Sequence, residues 1–166
     1  WNRNVFAKIL DQLNTSNPKA IGFDIFFTEK DKQSPEEIIK SYDLIPSDIT
    51  ELQKLKGPDD LFAEKLKESK SVIAVLGSNV PSHSNYDRKA KARFLSKGGE
   101  PKQFTYSYPF SIGSLEKLEK NVQGLGSISF LDQLDGIIRS LPLIVQFNKK
   151  IYPCLLYTSP SPRDGL

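Results

Sequence analysis

The stretch Ala20-Ile21-Gly22-Phe23-Asp24-Ile25-Phe26-Phe27 limits the fold more than any other part of the chain. It is almost continuously apolar, bounded by Asn17-Pro18-Lys19 before and Thr28-Glu29-Lys30 after. A short run rich in Ile and Phe predicts a strand buried on both faces, as in a parallel sheet. A second such run, Ser71-Val72-Ile73-Ala74-Val75-Leu76-Gly77, predicts another buried strand. Between them, Gly57-Pro58-Asp59-Asp60 marks a helix start, with proline preset for the first turn and acids where the dipole favours them. Leu61, Phe62, Ala63 and Leu66 form the inward stripe of that helix, which should end near Ser69. Strand, helix and strand in this order imply a parallel, right-handed crossover.

Ahead of this unit, Trp1, Val5, Phe6, Ile9, Leu10 and Leu13 recur at a helical period, and Asn14 to Pro18 turn the chain into the first strand. The expected fold is therefore α/β, a three-layer sandwich with a mixed, partly parallel central sheet flanked by helices. The Ala20 and Val72 strands should lie at its centre, with a hairpin of residues Gly124–Phe147 at one side.

Alternation along the first strand sets Ile21, Phe23, Ile25 and Phe27 on one face and Ala20, Gly22, Asp24 and Phe26 on the other. An ionised carboxylate inside such a strand is costly unless paired or hydrogen-bonded, so Asp24 calls for a partner.

Residues 30–56 are polar, with thin apolar periodicity, and read as a surface insertion rather than a lid. Ser34-Pro35-Glu36-Glu37 predicts one short helix, and Ser47-Asp48-Ile49-Thr50-Glu51 a second. Residues 79–105 form another polar excursion, expected to be mobile. It contains the only histidine, His83, read as solvated, and a basic stretch from Arg88 to Arg93, read as an exposed helix-like face. Tyr106–Phe110 should pack across the core edge, and Ser114–Lys120 should form a short helix. The glycines of Gly124-Leu125-Gly126 suggest close backbone approach in the strand that follows. Asp135-Gly136 is a hairpin-type pair, and Pro142 places the return strand at an edge or bulge. Asn148-Lys149-Lys150 makes a further turn before a strand at Ile151-Tyr152.

No phosphate-binding loop, nucleophile elbow, dinucleotide fingerprint or metal-spaced His/Cys cluster is present, so no catalytic residue, metal or cofactor is expected. Gly22-Phe23-Asp24 also lacks the second aspartate two residues on that a haloacid-type phosphotransferase strand would need. What remains is Asp24, Asp135 and Arg139. On the return strand Arg139 shares a face with Ile137, Leu141, Leu143, Val145 and Phe147 unless the proline shifts register. Its guanidinium fork would match a carboxylate from Asp135 or Asp24, forming either a structural ion pair or a ligand-binding polar cluster.

Taken together, Trp1-Asn2-Arg3, the strand Pro18 to Phe27, and Asp59-Asp60-Leu61-Phe62-Ala63-Glu64-Lys65-Leu66 resemble CHASE2 domains. So does Gly124-x-Gly126 followed by Leu131-Asp132, Asp135-Gly136, Ile138-Arg139 and Leu141-Pro142-Leu143. The resemblance covers nearly all of residues 1–153, with the two polar insertions as departures. It implies a non-enzymatic, extracytoplasmic sensory input domain of a bacterial transmembrane receptor, at the periplasmic or extracellular face of the cell membrane. By the same resemblance, membrane spans and a cytoplasmic output such as an adenylate cyclase, histidine kinase or serine/threonine kinase belong to the full-length protein. The expected partner is a small-molecule or environmental signal of unknown identity, and a homodimer is a further expected assembly.

Two readings from other classes stand beside this one. One is a small α/β metal-dependent hydrolase or phosphoryl-transfer enzyme using Asp24, since strand-end carboxylates are common site residues in open sheets. The other is a purely structural dimerisation module. The net charge of +3, with Lys and Glu interleaved, argues against a nucleic-acid partner. The chain has no methionine and is read as a fragment. Residues 154–166, Cys154 to Leu166, change character abruptly and read as a non-native tail translated from a sequencing adapter. Cys154, the single cysteine, then carries no redox information.

Overall fold

The computed structural model describes residues 1–82, 86–92, 94, 105–130, 138 and 140–158. Helix α1, Arg3–Thr15, opens the chain, and the side chain of Asn2 caps it by accepting from the Asn4 amide. Strand β1 covers Ile21–Phe23. The insertion that follows folds as helices α2, Pro35–Ser41, and α3, Pro46–Leu52, each with proline in its first turn. Helix α4, Pro58–Glu68, then leads into strand β2, Ser71–Ser78. After the second excursion come β3, Tyr106–Tyr108, β4, Phe110–Ile112, α5, Glu116–Asn121, and β5, Gly124–Ser127. Strands β6, Ile144–Phe147, and β7, Lys150–Pro153, precede α6, Leu155–Thr158.

Strand β2 organises the sheet. It runs parallel to β1, with Ile21 opposite Ser71, and parallel to β5, with Val72 opposite Gly124. Its far end pairs antiparallel with β4, with Leu76 opposite Ile112. A second set joins β3 parallel to β6 and β6 antiparallel to β7. A single parallel bridge between Ser127 and Cys154 links the two sets.

Helices lie on both faces. The Ile73 and Val75 face meets Leu10 of α1, Phe62 and Leu66 of α4 and Leu118 of α5 in the main core. The opposite face, Val72 and Ala74, meets Leu155 of α6. The fold is thus α/β with a mixed, partly parallel sheet between helices, as expected. In the main core Phe62 is ringed by Phe6, Phe23 and Phe27 at centroid distances of 5.9, 5.8 and 5.2 Å. Trp1, just ahead of α1, and Val5, Ile9 and Leu13 on it recur every fourth residue and stay exposed.

Several expectations are corrected. The first strand stops at Phe23 instead of running to Phe27, and it is not buried on both faces: Gly22, Asp24 and Ile25 are exposed. Beyond Phe23 the buried positions are four residues apart, Phe23 and Phe27, so the alternation of an extended strand is lost. Among the described residues no Gly124–Phe147 hairpin is found. β5 takes β2 as its partner, and β6 takes β3 and β7. Pro142 lacks the N–H a ladder needs, and Leu141 and Leu143 are exposed where Val145 and Phe147 are buried, so no single face runs through the proline.

The Asn148-Lys149 turn holds both residues at positive φ, 44° and 63°. That is the turn whose twist suits a two-residue hairpin, here β6–β7. Lysine in the left-handed region costs about 1 kcal/mol. Lys149→Gly is expected to raise stability by at most about 0.6 kcal/mol, after glycine's greater freedom in the unfolded chain is subtracted. A chemical denaturation midpoint that falls in the variant would contradict this.

Candidate functional site

Of the residues singled out from sequence, Asp24 sits in water just past the end of β1, with no hydrogen bond or ion pair among the described residues. The cost that made it suspect is therefore not incurred. Asp135, Arg139 and His83 lie outside the described residues. The structure instead concentrates buried charge in two places.

The first joins motifs that are far apart in sequence. Arg3 begins α1, and its amide donates to Asp31 Oδ2 at 2.6 Å, which puts a carboxylate at the positive end of the helix. Asp31 Oδ1 accepts from the Gln33 amide at 2.8 Å, tightening the turn into the insertion. The Asp31 amide donates to Asp59 Oδ2 at 2.9 Å. The Arg3 side chain donates to the Glu29 carbonyl at 2.9 Å, lies over the Phe27 ring at 4.6 Å, and brings Nε to 3.4 Å from Asp59 Oδ1. Asp31 and Asp59 are both buried. The entry to α1, the root of the insertion and the first turn of α4 are thereby tied at one point.

Beside this knot lies a cavity of about 210 Å³ between the starts of α2, α4 and α5. Ser34, Glu36, Asp59, Asp60, Glu116 and Lys117 are among its lining residues. Ser34 occupies the N-cap position of α2, yet its hydroxyl caps nothing and finds no partner among the described residues. Asp59 Oδ1 likewise accepts no hydrogen bond there. Lys117 meets Asp60 at 2.6 Å across the mouth. The insertion read from sequence as mere surface thus contributes one wall of a polar cavity.

Burial pushes the Asp59 carboxyl above its ordinary value of 3.8, against the opposing pull of the Asp31 amide and the Arg3 charge. The folded chain then holds this proton more tightly than the unfolded one. The associated stability is present below the ordinary value and is lost as pH rises through the raised one. Asp59→Asn should remove a contribution to stability that declines as pH rises above the ordinary carboxyl value, so that stability falls less, or rises more, with pH there. An unchanged slope in urea titrations would show that Asp59 does not titrate in this way.

The second cluster corrects the reading of Arg88 as part of an exposed basic face. Arg88 is buried, with Nε 3.0 Å from Glu119 Oε2 and Nη1 2.9 Å from Ser111 Oγ. Tyr86 also donates to Glu119, and Tyr152 donates its hydroxyl to the Arg88 carbonyl at 3.0 Å. Burial raises the Glu119 carboxyl above its ordinary range despite Arg88, and pushes the Tyr152 phenol up to about 12. The described part of the second excursion is therefore anchored, not free. The cluster is saturated with internal partners, which marks it as structural.

A wider cleft of about 430 Å³ opens where β1, β2 and β5 begin, with Lys19, Lys70 and Lys91 on its rim. Lys19 and Lys70 stand in solvent, and the Lys91 amine is spent on the carbonyls of Lys120 and Val122. Among the described residues no group of three or more His, Cys, Asp or Glu side chains is placed to hold a metal ion. The 210 Å³ cavity, with buried polar atoms left unsatisfied, is the arrangement best suited to hold a small polar molecule.

Arg3 and Asp59 were visible in sequence as parts of Trp1-x-Arg3 and Asp59-Asp60, but nothing local showed that they meet. No curated protein and no solved structure matches the chain. The family model of the CHASE2 domain matches residues 1–161. That match spans all the described elements, the Arg3–Asp59 knot and the cavity beside it, so the chain belongs to the CHASE2 domain family, a family of sensory domains.

Proposed function

We propose that this domain is the extracytoplasmic sensory input of a bacterial transmembrane receptor, and that membrane spans and a cytoplasmic cyclase or kinase output complete the receptor. The observation that carries the reading is the Arg3–Asp31–Asp59 knot. It fastens the first turn of α1 to the wall of a polar cavity, so a ligand that engages Asp59 alters what holds α1. Signalling then follows as a population shift between two states with different ligand affinity. Among the described residues no helix is long and apolar enough to cross a membrane. On this reading the spans belong to parts of the full-length protein outside this chain. No observation favours an enzyme built on Asp24, which is exposed and without a partner among the described residues.

The test is topological. Lys8 is exposed on α1, so Lys8→Cys in the full-length protein, with its other cysteines replaced, provides one accessible thiol. In intact spheroplasts carrying the full-length protein, a membrane-impermeant maleimide should label this variant fully. Labelling that requires lysis would place the domain in the cytoplasm and overturn the proposal.

A further inference from the structure

We propose that the 210 Å³ cavity at the starts of α2, α4 and α5 binds a small primary-amine ligand that also carries a hydroxyl or carbonyl oxygen. This rests on the sensory reading and names the class of molecule sensed. Glu36, Asp59, Asp60 and Glu116 line the cavity against only Lys30 and Lys117. Lys117 is occupied by Asp60 at 2.6 Å, and Glu116 is met by Lys120 at 2.8 Å. Glu36 has no ion-pair partner among the described residues, and Asp59 Oδ1 has only the Arg3 contact at 3.4 Å, without a hydrogen bond.

An ammonium group, with three donors and one positive charge, satisfies these acceptors. An anion meets an excess of carboxylates instead. The Ser34 hydroxyl, 2% exposed and unpartnered among the described residues, supplies the second point of recognition. A buried hydroxyl without a partner is costly, and a ligand oxygen there removes that cost. Because Asp59 is held by the Asp31 amide and stands beside Arg3, an amine at Oδ1 competes with the guanidinium for the same carboxylate. Binding is thereby coupled to the entry of α1.

Ethanolamine is the probe, measured by titration calorimetry on this chain. Saturable binding is expected, at least tenfold weaker for tetramethylammonium, which has charge but no donors. Glu36→Gln, at an exposed position, should weaken binding at least fivefold with an unchanged melting temperature. Ser34→Ala should weaken it at least threefold. Absence of saturable ethanolamine binding, or affinity indifferent to both substitutions, overturns the proposal. Tighter binding of acetate or magnesium than of ethanolamine overturns it as well, by assigning the cavity to an anion or a metal. Since maleimide labelling at position 8 does not depend on any ligand, loss of the amine reading leaves the sensory reading separately testable.

Discussion

Replacing Arg88 with alanine is expected to lower the stability of the domain by about 3–5 kcal/mol, because it leaves the Glu119 carboxylate buried without its counter-charge. Both side chains are 2% exposed or less by residue, and Ser111 and Tyr86 complete the cluster without adding a second cation. Removing the pair together, Arg88→Leu with Glu119→Leu, should cost much less than the two single changes summed. A hydrophobic pair of similar volume requires no desolvation of charge. Gly113 gives an independent approach to the same atoms. A Cβ there would lie 2.4 Å from Glu119 Oε1 and 2.8 Å from Arg88 Nε, so Gly113→Ala must displace the pair. Urea denaturation of Arg88→Ala, the two single leucine variants, their double and Gly113→Ala measures these effects. Additive single changes, or an Arg88→Ala cost below about 1 kcal/mol, would show that the cluster is not a coupled unit.

The second large effect is expected at Phe62. Phe62→Ala should cost about 3–5 kcal/mol, the range for deleting a fully buried aromatic ring. Phe62 is 0% exposed, and its ring is shared by residues from α1, β1 and the segment after β1. The cavity left behind therefore has walls on three separate pieces of chain, none free to collapse alone. Phe62→Leu keeps most of the volume and should cost less than half as much. Against a typical total of about 5–15 kcal/mol, the alanine variant stands close to unfolding. A fall of less than about 1 kcal/mol would mean that the neighbouring phenylalanines repack into the space.

What could be read locally came out close to the structure. Gly57-Pro58-Asp59-Asp60 predicted the start of α4 because a proline-preset turn and acids at a helix N-terminus act over a few residues. The uninterrupted apolar run at Val72 predicted β2, and the pairing of β1 and β2 is parallel as the intervening helix requires. Gly126 was read as a point of close approach, and a Cβ there would lie 2.4 Å from the Leu155 backbone. Asn148-Lys149 was read as a turn, and both residues take the left-handed conformation that a tight hairpin demands.

The errors share one cause. Asp24 drew attention because apolar composition alone suggested that the strand continued past Phe23, yet burial depends on what covers a residue, and Asp24 is exposed. Arg88 passed as one of several basic residues because its partner, Glu119, is 31 positions away and looks in sequence like any acid in a short helix. Ser34 was recognised as an N-cap, but not as an unpartnered residue lining a cavity, because the wall opposite is made by α4 and α5. Periodicity and turn chemistry act within a few residues, so the linear chain carries the helices, the parallel pair and the family resemblance. Which charges lose their water is settled by segments meeting across the core, and that determined the Arg88–Glu119 cluster, the Arg3–Asp59 knot and the cavity at its side.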